Sequence, residues 1–331
     1  MVIAFITLAS TITITLMFLH SRANYSEQLE APSQLSKTAK GTIEYTTMGE
    51  QEKASHNLLI LHGTPGGYDA GMILANWLDL DDDTHVIIPS RPGYLRTPIK
   101  VGLTPAAAAD AMIALLDELD IDKVTVLGWS GGGPTAVQLA QRHPNRVEKM
   151  ILLSARIKND GKYVFEESDE SELPFDTSNV DISNSFFGPD FKKFAQMQGF
   201  NLMPDFLLYD YFPEQTAHIQ LTVDRLRQSA STTMPPSRRN MGRQNDYWQF
   251  ASLAEQPVIN IDMPTLLIYS DSDLSVGYEH GEYINKAIVN SELITVKNET
   301  HFSVLTEQVA KKINVFLHSE NVNELTSSDS G

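Results

Sequence analysis

The segment Val124-Thr-Val-Leu-Gly-Trp-Ser-Gly-Gly-Gly-Pro134 constrains this chain more than any other. Val124 to Leu127 is a short apolar run rich in β-branched residues, the mark of a buried strand, and Pro134 can occupy the first turn of a helix. Between them lies Gly128-x-Ser130-x-Gly132. A strand that turns at once into a helix crowds the residues two before and two after the turning position, so both must be small. The turn lifts the Ser130 hydroxyl clear of the sheet and aims the helix N-terminal N–H groups at any negative charge developing beside it. With 19 glycines in the chain, the bare pattern arises by chance in about one such chain in ten, so the strand and helix around it carry the assignment.

A serine hydroxyl needs a base to attack at neutral pH, and the base needs an acid to orient it. Three of the nine histidines follow residue 265. His280 falls in a helical pattern and His318 in the last turn of the final helix, and both read as surface residues. His301 lies in the loop after the strand-like Leu293 to Val296, where it can reach over strand ends. Leu266-Leu-Ile-Tyr-Ser-Asp-Ser-Asp273 ends another strand and offers two carboxylates, Asp271 and Asp273. Ser, Asp, His is the chain order this turn expects. A second N–H donor for the oxyanion must come from a loop after an earlier strand. His62-Gly-Thr-Pro-Gly-Gly67 follows Leu58 to Leu61, and its glycines allow close backbone approach, so the N–H groups of Thr64 and Gly131 form the expected oxyanion hole.

The rest of the chain organises around this centre. Thr42 to Thr47, Leu58 to Leu61, Val86 to Ile88, Val124 to Leu127 and Val147 to Leu153 read as strands, and Thr104-Pro105 opens a helix to about Leu119. That rhythm predicts a mostly parallel sheet flanked by helices over 41–154 and 263–318. It stops over 155–262, where nine aromatics crowd into 186–212, as expected of an inserted helical cap. Residues 24–40 read as a linker and 319–331 as a disordered tail. Val2 to Leu19 is an apolar run at the N-terminus, read within 1–23 as a signal peptide or membrane anchor, which implies export or membrane attachment through residues 2–19. A net charge of −17 repels polyanions and argues against a nucleic-acid partner, and the absence of cysteine removes thiolate metal sites and a cysteine nucleophile.

Five motifs together resemble the α/β-hydrolase superfamily in its capped, serine-nucleophile branch: His62-Gly-x-Pro-Gly66, Ser90-Arg-Pro-Gly-Tyr94, Gly128-Trp-Ser-Gly-Gly132, Ser270-Asp-Ser-Asp273 and His301-Phe302. The resemblance covers residues 42–317 and implies the α/β-hydrolase fold with a helical cap. Its strand-end spacing favours Asp273 over Asp271 as the acid, although Ser270 and Thr300 stand where the family often has glycine. Members with epoxide hydrolase or dehalogenase activity use an aspartate nucleophile, so Ser130 implies acyl transfer to water instead. The implied activity is hydrolysis of an ester-type bond in a small, largely apolar substrate through an acyl-enzyme, without metal or organic cofactor, with Trp129 at the substrate. The alternatives are a lactonase, a carbon–carbon bond hydrolase, an aminopeptidase, since the Thr64 loop also resembles that of proline iminopeptidases, and a non-catalytic ligand-binding protein on the same fold.

Overall fold

The computed structural model describes residues 12–13, 16–20, 27, 29–163, 189–209, 212, 216–253 and 261–319. Eight strands form one sheet: β1 Gln34–Thr38, β2 Gly41–Met48, β3 His56–Leu61, β4 Thr84–Pro89, β5 Val124–Trp129, β6 Val147–Leu153, β7 Thr265–Ser270 and β8 Ser291–Val296. Their spatial order is β1-β2-β4-β3-β5-β6-β7-β8. The first three run as antiparallel pairs, β1 with β2 and β2 with β4, and every later pairing is parallel. The central strands are apolar on both faces because both faces are covered, which is why they read as continuous rather than alternating runs.

Period-two geometry sends successive residues to opposite sides. Leu59, Leu61, Val126, Met150, Leu152 and Leu267 pack with helices α2 (Pro105–Glu118) and α3 (Gly133–Arg142), while Leu58, Ile60, Leu127, Ile151, Leu153 and Leu266 face helix α1 (Tyr68–Leu78) and the C-terminal helix. The cap contributes α4 (Pro189–Leu202), α5 (Asp205–Tyr209), α6 (Ile219–Ser231) and α7 (Asn240–Ser252), inserted between β6 and β7. Helix α8 (Glu279–Ala287) and the final helix α9 (Glu307–His318) complete the order.

Two expectations need correction. The linker assigned to 24–40 contains β1, and its Ser33 donates to Glu44 of β2 at 2.8 Å. This is a polar edge strand, Gln-Leu-Ser-Lys-Thr, with too little apolar pattern to read as one. The last helix starts at Glu307, where Thr306 accepts from the Val309 N–H as N-cap. His280 is fully buried, its Nδ1 accepting from the Ile157 N–H at 3.1 Å.

Of the N-terminal apolar run only 12–13 and 16–19 are described. Phe18 packs into a cluster with Phe194, Met197 and Met234, its ring edge-on to Phe194 at 5.5 Å. No helix among the described residues is long and apolar enough to cross a membrane. The tail expected to be disordered lies outside the described residues beyond Ser319, as do Phe186, Phe187 and Tyr211 of the cap aromatics. Phe206 of that set is exposed.

Candidate active site

Ser130 follows the last residue of β5 and opens a short 3-10 turn, Ser130–Gly132, that leads into α3. Its φ is +51°, a left-handed backbone that costs an L-residue about 1–3 kcal/mol and persists only where its surroundings enforce it. The two flanking glycines are those surroundings. A Cβ at Gly132 would sit 2.1 Å from the Leu61 carbonyl oxygen, and one at Gly128 would sit 2.8 Å from Ala136 Cβ. The Ser130 carbonyl accepts from the Arg156 N–H at 2.9 Å, which ties the turn to the end of β6.

The loops after β7 and β8 bring two further expected residues together. His301 Nδ1 lies 2.7 Å from Asp273 Oδ2. A carboxylate can only accept, so Nδ1 carries the proton and Nε2 is left as the basic nitrogen. Asp273 Oδ1 accepts from the N–H groups of Ser275 at 2.8 Å and Val276 at 3.0 Å. Burial by itself would raise this carboxyl, but the charge and hydrogen bond of His301 and the two N–H donors outweigh it, and its pKa lies below the usual carboxylate value. Asp271 does something else: its Oδ1 accepts from the Asn298 N–H at 2.8 Å and shapes the loop leading to His301. The two departures from the family pattern also have partners there. Ser270 Oγ donates to the Glu299 carbonyl at 2.6 Å, and Thr300 Oγ1 lies 3.2 Å from Thr222 Oγ1 on α6.

The expected oxyanion-hole residues are neighbours. A Cβ built on Gly131 would lie 2.2 Å from Thr64 Oγ1, and one on Gly63 would lie 3.0 Å from Ser130 Cβ. The Thr64 N–H donates to no backbone carbonyl among the described residues. Trp129, expected at the substrate, is only 6% exposed. Its indole stacks on the His301 ring at 6.2 Å and meets Trp77 edge-on at 6.1 Å. It is a support under the imidazole rather than an open wall, because β5 turns its side chain into the α1 and α9 layer of the core.

Several residues that reading the sequence missed hold this arrangement. Asp246 of α7 receives both guanidinium ends of Arg91, at 2.9 and 2.6 Å, and the Tyr94 hydroxyl at 2.5 Å. Burial opposes the charge on Arg91, and the Asp246 carboxylate beside it more than offsets that, raising its pKa. The Tyr94 hydroxyl is driven well above its ordinary range by burial and by the same carboxylate. Arg225 of α6 donates to the carbonyls of Phe302 and Leu305 in the segment after His301. Burial, only partly countered by Glu299, lowers the Arg225 pKa to about 10. Arg156 reaches the Ser275 carbonyl at 2.8 Å. Arg91 and Tyr94 lie in a motif already singled out, whereas Asp246 is one acid among many in a helix and no local pattern marks it.

Sheet order and turn geometry together are those of a hydrolase. The chain belongs to the alpha/beta hydrolase fold family, whose profile matches residues 57–308. It is 34% identical over 118 residues to the uncharacterized hydrolase YcgS of Bacillus subtilis, a match covering 36% of this chain and 39% of that protein. The chain thus spans well under half of that relative's length in the match. It is 25% identical over 221 residues to the pimeloyl-[acyl-carrier protein] methyl ester esterase of Neisseria meningitidis serogroup B strain H44/76, covering 66% of this chain and 76% of that protein. Among solved structures, an alpha/beta hydrolase fold protein from Nakamurella multipartita superposes with a TM-score of 0.66 at 26% identity, covering 86% of this chain and 98% of that one.

Proposed function

We propose that this hydrolase is a serine esterase acting on small, largely apolar carboxylic esters. The observation that carries the reading is the Asp273–His301 pair, bonded at 2.7 Å with the Asp273 side chain fully buried, under an imidazole stacked on the residue next to Ser130. His301 Nε2 takes the Ser130 Oγ proton as Oγ attacks the ester carbonyl. The tetrahedral oxyanion is held by the N–H groups of Thr64 and Gly131, each worth about 3 kcal/mol. Collapse expels the alcohol, which leaves with the proton from His301. Water, activated by His301, then releases the acid and regenerates Ser130.

Apolar surroundings favour such a substrate. Phe250 of α7 lies 3.1 Å from where a Gly131 Cβ would stand, and Phe302 meets His301 edge-on at 5.7 Å. Methyl ester cleavage by the Neisseria relative supports the ester class. A peptidase reading for free amino termini would need an uncommitted carboxylate near the oxyanion loop. Among the described residues, two carboxylates beside that loop are committed: Asp246 to Arg91, Tyr94 and Thr64, and Asp69 to Arg239.

Short-chain p-nitrophenyl esters and a fluorophosphonate probe test the proposal. We expect the wild type to turn over the esters and to be labelled, and Ser130→Ala to lose labelling and at least about 1000-fold of kcat. A folded wild type that neither labels nor hydrolyses any ester of the series would overturn the reading in favour of ligand binding.

A further inference from the structure

The loop carrying Thr64 is anchored on the cap. Thr64 Oγ1 donates to Asp246 Oδ2, across 182 positions of chain. The same oxygen accepts from Tyr94 and from Arg91 Nη2, and Oδ1 accepts from Arg91 Nη1. Arg91 in turn grips the residues just before Thr64: its Nε donates to the His62 carbonyl at 2.8 Å, and its backbone N–H donates to His62 Nε2 at 2.9 Å. Because His62 Nε2 accepts, its proton is on Nδ1, which donates to the Gly63 carbonyl at 2.8 Å. The Arg91 and Asp246 side chains are 5% and 7% exposed, and Tyr94 is wholly buried. One carboxylate on α7 therefore receives both the Thr64 hydroxyl and the guanidinium of Arg91, the residue that grips His62. Thr64 Oγ1 is also the atom that would collide with a Cβ at Gly131, so the hydroxyl that Asp246 holds sets the spacing between the two expected oxyanion donors.

We infer that Asp246 is a positioning residue for the oxyanion hole: the cap, seated through this carboxylate, orients the Thr64 N–H, so that the hole is complete only while α7 is docked. This rests on the reading of Ser130 as nucleophile with Thr64 and Gly131 as donors. A charged, bidentate acceptor suits the task because it can satisfy an arginine fork and two hydroxyls at once in a site sheltered from water.

The test separates positioning from folding. Thr64→Val removes only the hydroxyl and keeps the N–H and the side-chain volume. It should lower kcat for p-nitrophenyl esters about 10- to 100-fold, leave KM within about threefold, and weaken an alkyl boronic acid, which binds serine hydrolases as a tetrahedral adduct, by a similar factor. Asp246→Ala should do the same or more, and Asp246→Asn should recover part of it, because its amide oxygen can still accept from Thr64. Thr64→Val added to Asp246→Ala should cost nothing further, as residues acting in one chain of contacts do not add. Should Asp246→Ala fail to fold, Thr64→Val and Tyr94→Phe still decide, read beside their urea midpoints. Wild-type kcat and boronate affinity in a folded Thr64→Val would overturn the positioning role while leaving the esterase reading intact. An inert, unlabelled wild type would overturn both.

Discussion

At Gly132 the space for a side chain is set by backbone, and backbone cannot step aside. A methyl group there would meet the Leu61 carbonyl oxygen at 2.1 Å, whereas at Gly128 it would meet another methyl, that of Ala136, at 2.8 Å. Gly132→Ala should therefore destabilise the fold by about 3 kcal/mol or more, and Gly128→Ala by less, as read from urea unfolding midpoints. Equal midpoints for the two variants would contradict this view of the turn. Residues of this kind are legible in a sequence because one backbone conformation demands them locally. Where Ser130, Asp273 and His301 fall was legible for a related reason, each lying in the turn or loop after a strand in the expected chain order. His280 and Trp129 were not, because burial is decided by what packs on top. Nothing in the pattern around His280 announces that the N–H of Ile157 comes to its ring.

Among elements, the cap helices divide the site between them. Helix α6 braces the His301 segment through Arg225, and α7 braces the Thr64 loop through Asp246. A second buried pair runs in the opposite sense: Arg239 of the cap binds Asp69 of α1 with two hydrogen bonds, at 3.0 and 2.7 Å, and is 1% exposed. Asp69 gains further from its place in the first turn of α1. Arg239→Met should loosen cap docking by about 3 kcal/mol, seen as faster amide exchange in α7 with the protection of β3 and β5 unchanged. Unaltered exchange in α7 would mean that the pair does not hold the cap. The sheet was readable because its strands are apolar runs, and α2 because Thr104 and Pro105 announce its start. The cap was readable only as an interruption of that rhythm, since α6 and α7 are fixed by hydrogen bonds and ion pairs to residues far away in the chain. β1 escaped notice because an edge strand can be polar throughout without losing its ladder of hydrogen bonds.

For the molecule as a whole, buried neutral imidazoles set an acid limit. Burial, reinforced by Arg156, lowers the His280 pKa to about 4, and burial beside Arg91 puts His62 well below its ordinary value. Unfolding frees both to protonate near 6.5, so stability is complete above about pH 6.5 and is lost as pH falls from there toward 4. His280 alone should account for about 3 kcal/mol of that loss. Chemical denaturation of His280→Gln should show a shallower fall over this window than the wild type, and an identical slope would remove His280 from the account. The fold class of the whole was legible from its strand-helix rhythm and its turn motif. The cap's seating was not legible, and it carries a consequence for building hybrids. Because the insert leaves at β6 and returns at the adjacent β7, the covalent chain hinges it along one edge only. It is keyed to the core by two locks of opposite polarity, a core arginine in a cap acid and a cap arginine in a core acid. A cap transplanted from a relative would be joined correctly at both ends and still sit askew, unless Arg91 and Asp69 found their counterparts in the donor.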